Sequence, residues 1–99
     1  MTKERRSDER VSLNLPVTWD GVAGTSEARI EDLGMGGCFV NTRGPVELGE
    51  LVGLKIRLPS GETLLLRGEV TSHQPGIGFG VVFPFLTDEE EQALRELII

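Results

Sequence analysis

Apolar side chains recurring at every second position constrain this chain more than any other feature. Between Val11 and Trp19 they fall at Val11, Leu13, Leu15, Val17 and Trp19, which is the period of a strand with one buried face. The rhythm returns at Ala28 and Ile30, at Cys38 and Val40, and at Val52, Leu54, Ile56 and Leu58. It appears again at Leu64 and Leu66 with Val70, and at Ile77, Phe79, Val81 and Phe83. Turn-forming groups separate the runs: Asp20-Gly21, Gly34 to Gly37, Arg43-Gly44-Pro45, Leu48-Gly49, Pro59-Ser60-Gly61 and Gln74-Pro75-Gly76. Pro59-Ser60-Gly61 is short enough to close a hairpin, and the pair it joins, 52–58 with 62–72, is expected to be the longest ribbon. Six strands with one apolar face each predict an all-β-dominated fold, a six-stranded antiparallel β-barrel, because closure removes the edges an open sheet exposes.

The period changes once, after Leu86. Thr87 is a good N-cap with Glu90 three residues on, Asp88 to Glu91 place negative charge at the positive end of a helix, and Ala93, Leu94, Leu97 and Ile98 form one apolar stripe. A C-terminal α-helix over 87–99 is therefore expected, plugging or flanking the barrel or serving a partner. Residues 1–10 have no hydrophobic face, so they are expected to form a flexible N-terminal arm, with 11–99 as barrel plus helix. At 99 residues the chain is long enough for one core and too short for a second domain. The sequence contains no internal repeat and no low-complexity segment.

Arg5, Arg6 and Arg10 concentrate guanidinium groups just before the first strand, and Asp32-Leu33-Gly34-Met35-Gly36-Gly37 sets a carboxylate beside bare backbone. A guanidinium fork suits phosphates and the N7/O6 edge of guanine, while a carboxylate accepts from the N1 and N2 donors of the opposite guanine edge. Together they read as a grip for a guanine nucleotide. Each part also has an ordinary reading. A terminal charge run is commonly a solvated tail, Asp beside Gly commonly bends the chain, and Gly34, Gly36 and Gly37 suit a tight turn or bulge. The two motifs together favour the ligand.

Arg5-Arg6-Ser7-Asp8-Glu9-Arg10, a pair of barrel strands and then Asp32-Leu33-Gly34-Met35-Gly36-Gly37 resemble the RRxxxR and (D/N)xSxxG signature of PilZ domains, bacterial receptors for cyclic di-GMP. Gly78-Phe79-Gly80-Val81-Val82-Phe83 and the helix after it are similar to the usual end of such a domain, so the resemblance covers nearly the whole chain. It implies that Arg5, Arg6, Arg10, Asp32 and Gly37 contact cyclic di-GMP. Gly34 stands where the family has serine, which removes a hydroxyl; one hydrogen bond is worth ~1 kcal/mol, or ~2–3 to a charged partner, so affinity is expected to fall by about tenfold to a hundredfold. A charged residue at Arg5 implies two mutually intercalated ligands. The resemblance further implies a single-domain receptor that orders its arm on binding and signals to an unknown downstream protein in motility, attachment or exopolysaccharide control. The alternative is a PilZ-fold adaptor that does not bind nucleotide, for which Gly34 is the only direct support.

Other classes fit less well. The net charge of −6 argues against nucleic-acid binding by counterion release. A stacking surface for single strands is disfavoured because Tyr is absent and Phe79 and Phe83 share the expected buried face. Trp19 reads as core. Cys38 is the only cysteine and His73 the only histidine, so neither a disulfide nor a metal site is expected. Ser7, Ser12, Ser26, Ser60 and Ser72 lack an activating pattern such as G-x-S-x-G, so no catalytic residue and no enzyme is expected. The absence of an apolar N-terminal stretch, with the lone thiol, predicts a cytoplasmic protein without membrane insertion. Oligomeric state and output pathway leave no mark on the sequence.

Overall fold

A computed structural model of the chain describes residues 10–98. The expected barrel is present. Its strands are β1 (Arg10–Gly21), β2 (Gly24–Gly34), β3 (Gly37–Asn41), β4 (Leu51–Arg57), β5 (Thr63–Gln74) and β6 (Gly78–Val82), followed by helix α1 (Asp88–Ile98). The strands close in the order β1-β2-β3-β6-β5-β4, and every neighbouring pair is antiparallel. No helix among the described residues is long and apolar enough to cross a membrane.

Alternation translates directly into a filled interior. Leu15, Val17 and Trp19 of β1, Ile30 and Leu33 of β2, Val52, Leu54 and Ile56 of β4, and Leu64, Leu66 and Val70 of β5 are all buried. Trp19 sits edge-on to Phe79 with ring centroids 5.0 Å apart, and its indole N–H donates to Thr42 Oγ1 at 3.2 Å. The one polar atom of this large side chain thus has a partner, in the half-buried segment just after β3. The thiol of Cys38 is also interior, where burial pushes its pKa from 9.0 to about 12; the Arg10 charge opposes this shift and the Asp32 charge adds to it.

The helix begins as its capping residues require. Thr87 N–H donates to Glu90 Oε1 at 3.0 Å, and Glu90 N–H donates to Thr87 Oγ1 at 3.1 Å, a reciprocal capping box. Leu94 is fully buried, with Ala93, Leu97 and Ile98 packed on the core, so the apolar stripe serves the barrel, against β2 and β5.

Three expectations are corrected. The longest ribbon is β1–β2, which pairs from Arg10–Gly34 to Gly21–Gly24, whereas β4–β5 pairs only from Leu51–Glu69 to Arg57–Thr63. Turn residues mark where a hairpin closes but not how far its strands continue, and β2 runs on past Ile30 as far as Gly34, the first residue that reads as a turn. Ile77 is 58% exposed and belongs to the turn before β6, so its place in the apolar series is accidental. Arg10 is already a strand residue, paired with Gly34; the remainder of the arm, including Arg5 and Arg6, lies outside the described residues.

Candidate functional site

The mouth of the β1–β2 ribbon is displaced from the rest of the ribbon by an irregularity. Pairing is regular from Gly21–Gly24 to Leu15–Ile30 and resumes at Ser12–Asp32, leaving Leu13 and Asn14 opposite Glu31. On its other side β2 pairs Ile30 with Val40 and Asp32 with Phe39, so Glu31 is an extra residue with no counterpart on β3. This β-bulge changes the side-chain phase of β2: Ile30 points inward, and the next inward residue is Leu33, three positions on. In an unbroken strand position 32 would share the face of Ile30 and point into the core. The extra residue turns Asp32 out, where a carboxylate can meet a ligand.

Asp32 has two partners there. Its Oδ1 accepts from Arg10 Nη1 at 3.3 Å and from the Phe39 backbone N–H at 3.0 Å. The side chains of Arg10 and Asp32 are 37% and 40% exposed, so the ion pair is open to solvent and worth only ~0.2–1 kcal/mol. The N–H bond fixes the carboxylate against β3, while the guanidinium is held loosely enough for another anion to take it. Beside them the bulge opens a shallow depression of about 340 Å³ lined by Ser12, Leu13, Asn14 and Glu31.

Of the residues singled out from sequence, Arg10, Asp32 and Gly34 are therefore brought together, with Gly34 as an extended strand residue directly opposite Arg10. Gly37 has a more structural part. It opens β3 opposite Val82, and a Cβ at that position would overlap the carbonyl oxygen of Val81 across the sheet. Glycine is required there for β3 to close on β6, and Phe83 N–H completes the closure by donating to Gly36 O at 2.9 Å.

Sequence reasoning missed Phe39, which acts through its backbone, and Asn14, whose Oδ1 accepts from Arg29 Nε at 2.6 Å across the irregularity. One signal was available for the bulge. Ile30 and Leu33 are both core residues separated by three positions in a strand that otherwise repeats every second residue.

The sequence model of the PilZ domain matches residues 4–99. Among solved structures, the chain is similar to the PilZ domain of CeSA from a cellulose-synthesizing bacterium, with a TM-score of 0.73 and 24% identity over 91% of this chain and 94% of that one. It is also similar to the Bacillus subtilis inhibitor of motility MotI/DgrA, with a TM-score of 0.74 and 18% identity over 90% of this chain and 46% of that one. This chain thus spans less than half of the MotI/DgrA chain, and at these identities the likeness is one of fold. No curated protein matches it in sequence.

Proposed function

This chain belongs to the PilZ domain family, a family of cyclic di-GMP receptors, and on that premise we propose that it is itself a cyclic di-GMP-binding module with a regulatory rather than a catalytic role. The observation that carries the reading is the meeting of Arg10 and Asp32 at the barrel mouth, on strands joined to the Arg5-Arg6 segment. In this proposal Arg5, Arg6 and Arg10 hold phosphate oxygens and guanine Hoogsteen edges, where a bidentate fork exceeds a point charge in geometric fit. Asp32, oriented by the Phe39 N–H, accepts from a guanine Watson–Crick edge. Gly34 and Gly37 leave the backbone close to the base.

The Arg10–Asp32 pair gives the site a resting state. Ligand phosphate draws the guanidinium away from a partner it holds weakly, while Asp32 keeps its backbone bond and turns its second oxygen to the base. The segment before Arg10 closes over the ligand, and this ordered arm is the state a downstream protein reads. Cyclic di-GMP is an intracellular messenger, so the site of action is the cytoplasm. Two intercalated ligands per chain are proposed on account of Arg5, whose charge offsets phosphate repulsion and whose plane stacks on guanine. The second reading, an adaptor that does not bind nucleotide, is favoured by one observation, the missing hydroxyl at Gly34.

Calorimetric titration with cyclic di-GMP, with GTP and a single-stranded oligonucleotide as controls, decides between them. The receptor reading expects saturable binding that Arg6→Ala and Arg10→Ala each largely remove; equal binding by all three proteins sinks this site, and no binding by the wild type leaves the adaptor. With the active protein concentration known, the same curves count the ligands: two for wild type and one for Arg5→Leu.

A further inference from the structure

A second charged surface lies on the outer wall of the barrel. The registers align outward-facing residues into rows: Glu27 stands opposite Thr18, Thr18 opposite Lys55, and Lys55 opposite Leu65. Flanking this row, Arg29 faces Pro16 and Arg57 faces Thr63 on one side, and Arg67 faces Gly53 on the other. Arg29, Lys55 and Arg57 line a single groove of about 320 Å³ together with Pro16, Thr18 and Glu27. Leu65, beside Lys55, is 60% exposed.

This grouping is unexpected in a chain of net charge −6, where from residue 10 onward the only cations elsewhere are Arg10, Arg43 and Arg95. Like charges on neighbouring positions of one sheet face oppose folding. Among the described residues, Lys55, Arg57 and Arg67 have no salt-bridge partner that would relieve this. Arg29 is held in place by Asn14, through Nε to Oδ1 at 2.6 Å and Nη2 to the backbone carbonyl at 3.4 Å. A fixed guanidinium, the two unpaired cations of the groove, Lys55 and Arg57, and an exposed leucine together form a surface complementary to carboxylates spaced around an apolar side chain.

We propose that this face of β2, β1, β4 and β5 docks an acidic segment of a partner protein, with Arg29, Lys55 and Arg57 pairing carboxylates and Pro16 and Leu65 receiving an apolar side chain between them. The inference rests on the receptor reading for its purpose and names the class of partner that reads the bound state. A short acidic peptide fits better than a membrane or nucleic acid. An extended polyanion meets Glu27 in the groove and the net negative charge of the whole domain, whereas a peptide with few charges responds to the field within about 10 Å of the groove. The surface is connected to the ligand site, since Asn14, which holds Arg29, lies in the irregularity next to the Ser12–Asp32 pair.

Fluorescence anisotropy with a labelled peptide alternating glutamate and leucine tests the proposal, with a lysine–leucine peptide, phosphatidylglycerol vesicles and a single-stranded oligonucleotide as competing probes. Saturable, salt-sensitive binding of the acidic peptide is expected, weakened about tenfold or more by the double substitution Lys55→Glu and Arg57→Glu. Lys55→Gln with Arg57→Gln serves if the reversed charges unfold the barrel. Failure of the acidic peptide to bind wild type, equal affinity for the charge variants, or stronger binding of vesicles or oligonucleotide through the same residues would each overturn it. Cyclic di-GMP titration of the charge variants should match wild type. Wild-type protein that binds the peptide here but no cyclic di-GMP would refute the receptor reading and leave the docking surface standing.

Discussion

From Leu15–Gly21 against Gly24–Ile30 the β1–β2 ribbon keeps one register and buries Leu15, Val17, Trp19 and Ile30, whereas beyond the irregularity the same two strands leave Arg10 and Asp32 partly exposed and paired with each other. For Asp32 the difference arises from Glu31, which is an extra residue against β3 and shifts the phase of β2. Without it the alternation that builds the core would carry Asp32 inward, where an unpaired carboxylate costs several kcal/mol. The hairpin half thus supplies most of the buried side chains, while the mouth half keeps Leu33 in the core and turns Asp32 out of it so that it can bind. If this division is correct, substitutions in the two halves should separate stability from affinity.

The largest effect is expected in the hairpin half. Trp19→Ala removes a side chain only 2% exposed, its edge contact with Phe79 and its bond to Thr42. A loss of about 3–5 kcal/mol is expected, a large share of the ~5–15 kcal/mol that holds a domain together. Urea unfolding measures it, and Trp19→Phe gives a smaller loss if the alanine variant does not fold. Arg10→Ala is the counterpart. It should lower affinity for cyclic di-GMP by roughly 1.5–3 kcal/mol, the worth of hydrogen bonds to a charged group, yet lower stability by less than ~1 kcal/mol because its ion pair is solvent-exposed. A large stability loss in Arg10→Ala would show that the mouth half holds the fold together as the hairpin half does.

Cys38 lies on β3 beside the mouth half, opposite Leu33 and buried close to the Arg10 and Asp32 charges. Its folded pKa is raised from 9.0 to about 12, so the folded chain holds the thiol proton more tightly than the unfolded chain. Stability is therefore unaffected by this group below pH 9 and falls as pH rises from 9 towards 12, by up to about 1.4 kcal/mol per pH unit. The chain has no tyrosine to add its own titration in this range. Urea midpoints at about pH 8 and about pH 10 should differ for wild type and differ less for Cys38→Ala. An unchanged pH dependence in the variant would place the thiol outside the dry part of the core.

The barrel was legible because its evidence is local and repeated: an apolar residue at every second position needs only a buried face to explain it, and Thr87 with Glu90 declares a helix start. Trp19 was read correctly as core for the same reason. Extent and phase were harder. Gly34 to Gly37 spells a turn, but hydrogen bonding to Arg10 and Val82 extends strands into both ends of it. The requirement at Gly37 comes from the Val81 carbonyl on a strand distant in sequence. The part played by Phe39 is invisible in principle from side-chain identity, because the donor is a backbone N–H.

Gly34 offers the smallest and most discriminating change. Positive φ angles occur at Gly24, Gly49, Gly61 and Gly76, whereas Gly34 is an extended residue of β2 opposite Arg10, a conformation that serine adopts without strain. Gly34→Ser should therefore carry no backbone strain and restore the hydroxyl that the PilZ pattern places here. The gain expected is about 1 kcal/mol, the net worth of one hydrogen bond, or close to fivefold in affinity for cyclic di-GMP. Calorimetry on wild type and variant, together with urea midpoints, separates the two quantities. A folded variant that binds more weakly would mean that ligand or arm approaches this backbone too closely for any side chain, making the glycine a steric requirement of the mouth rather than a missing contact.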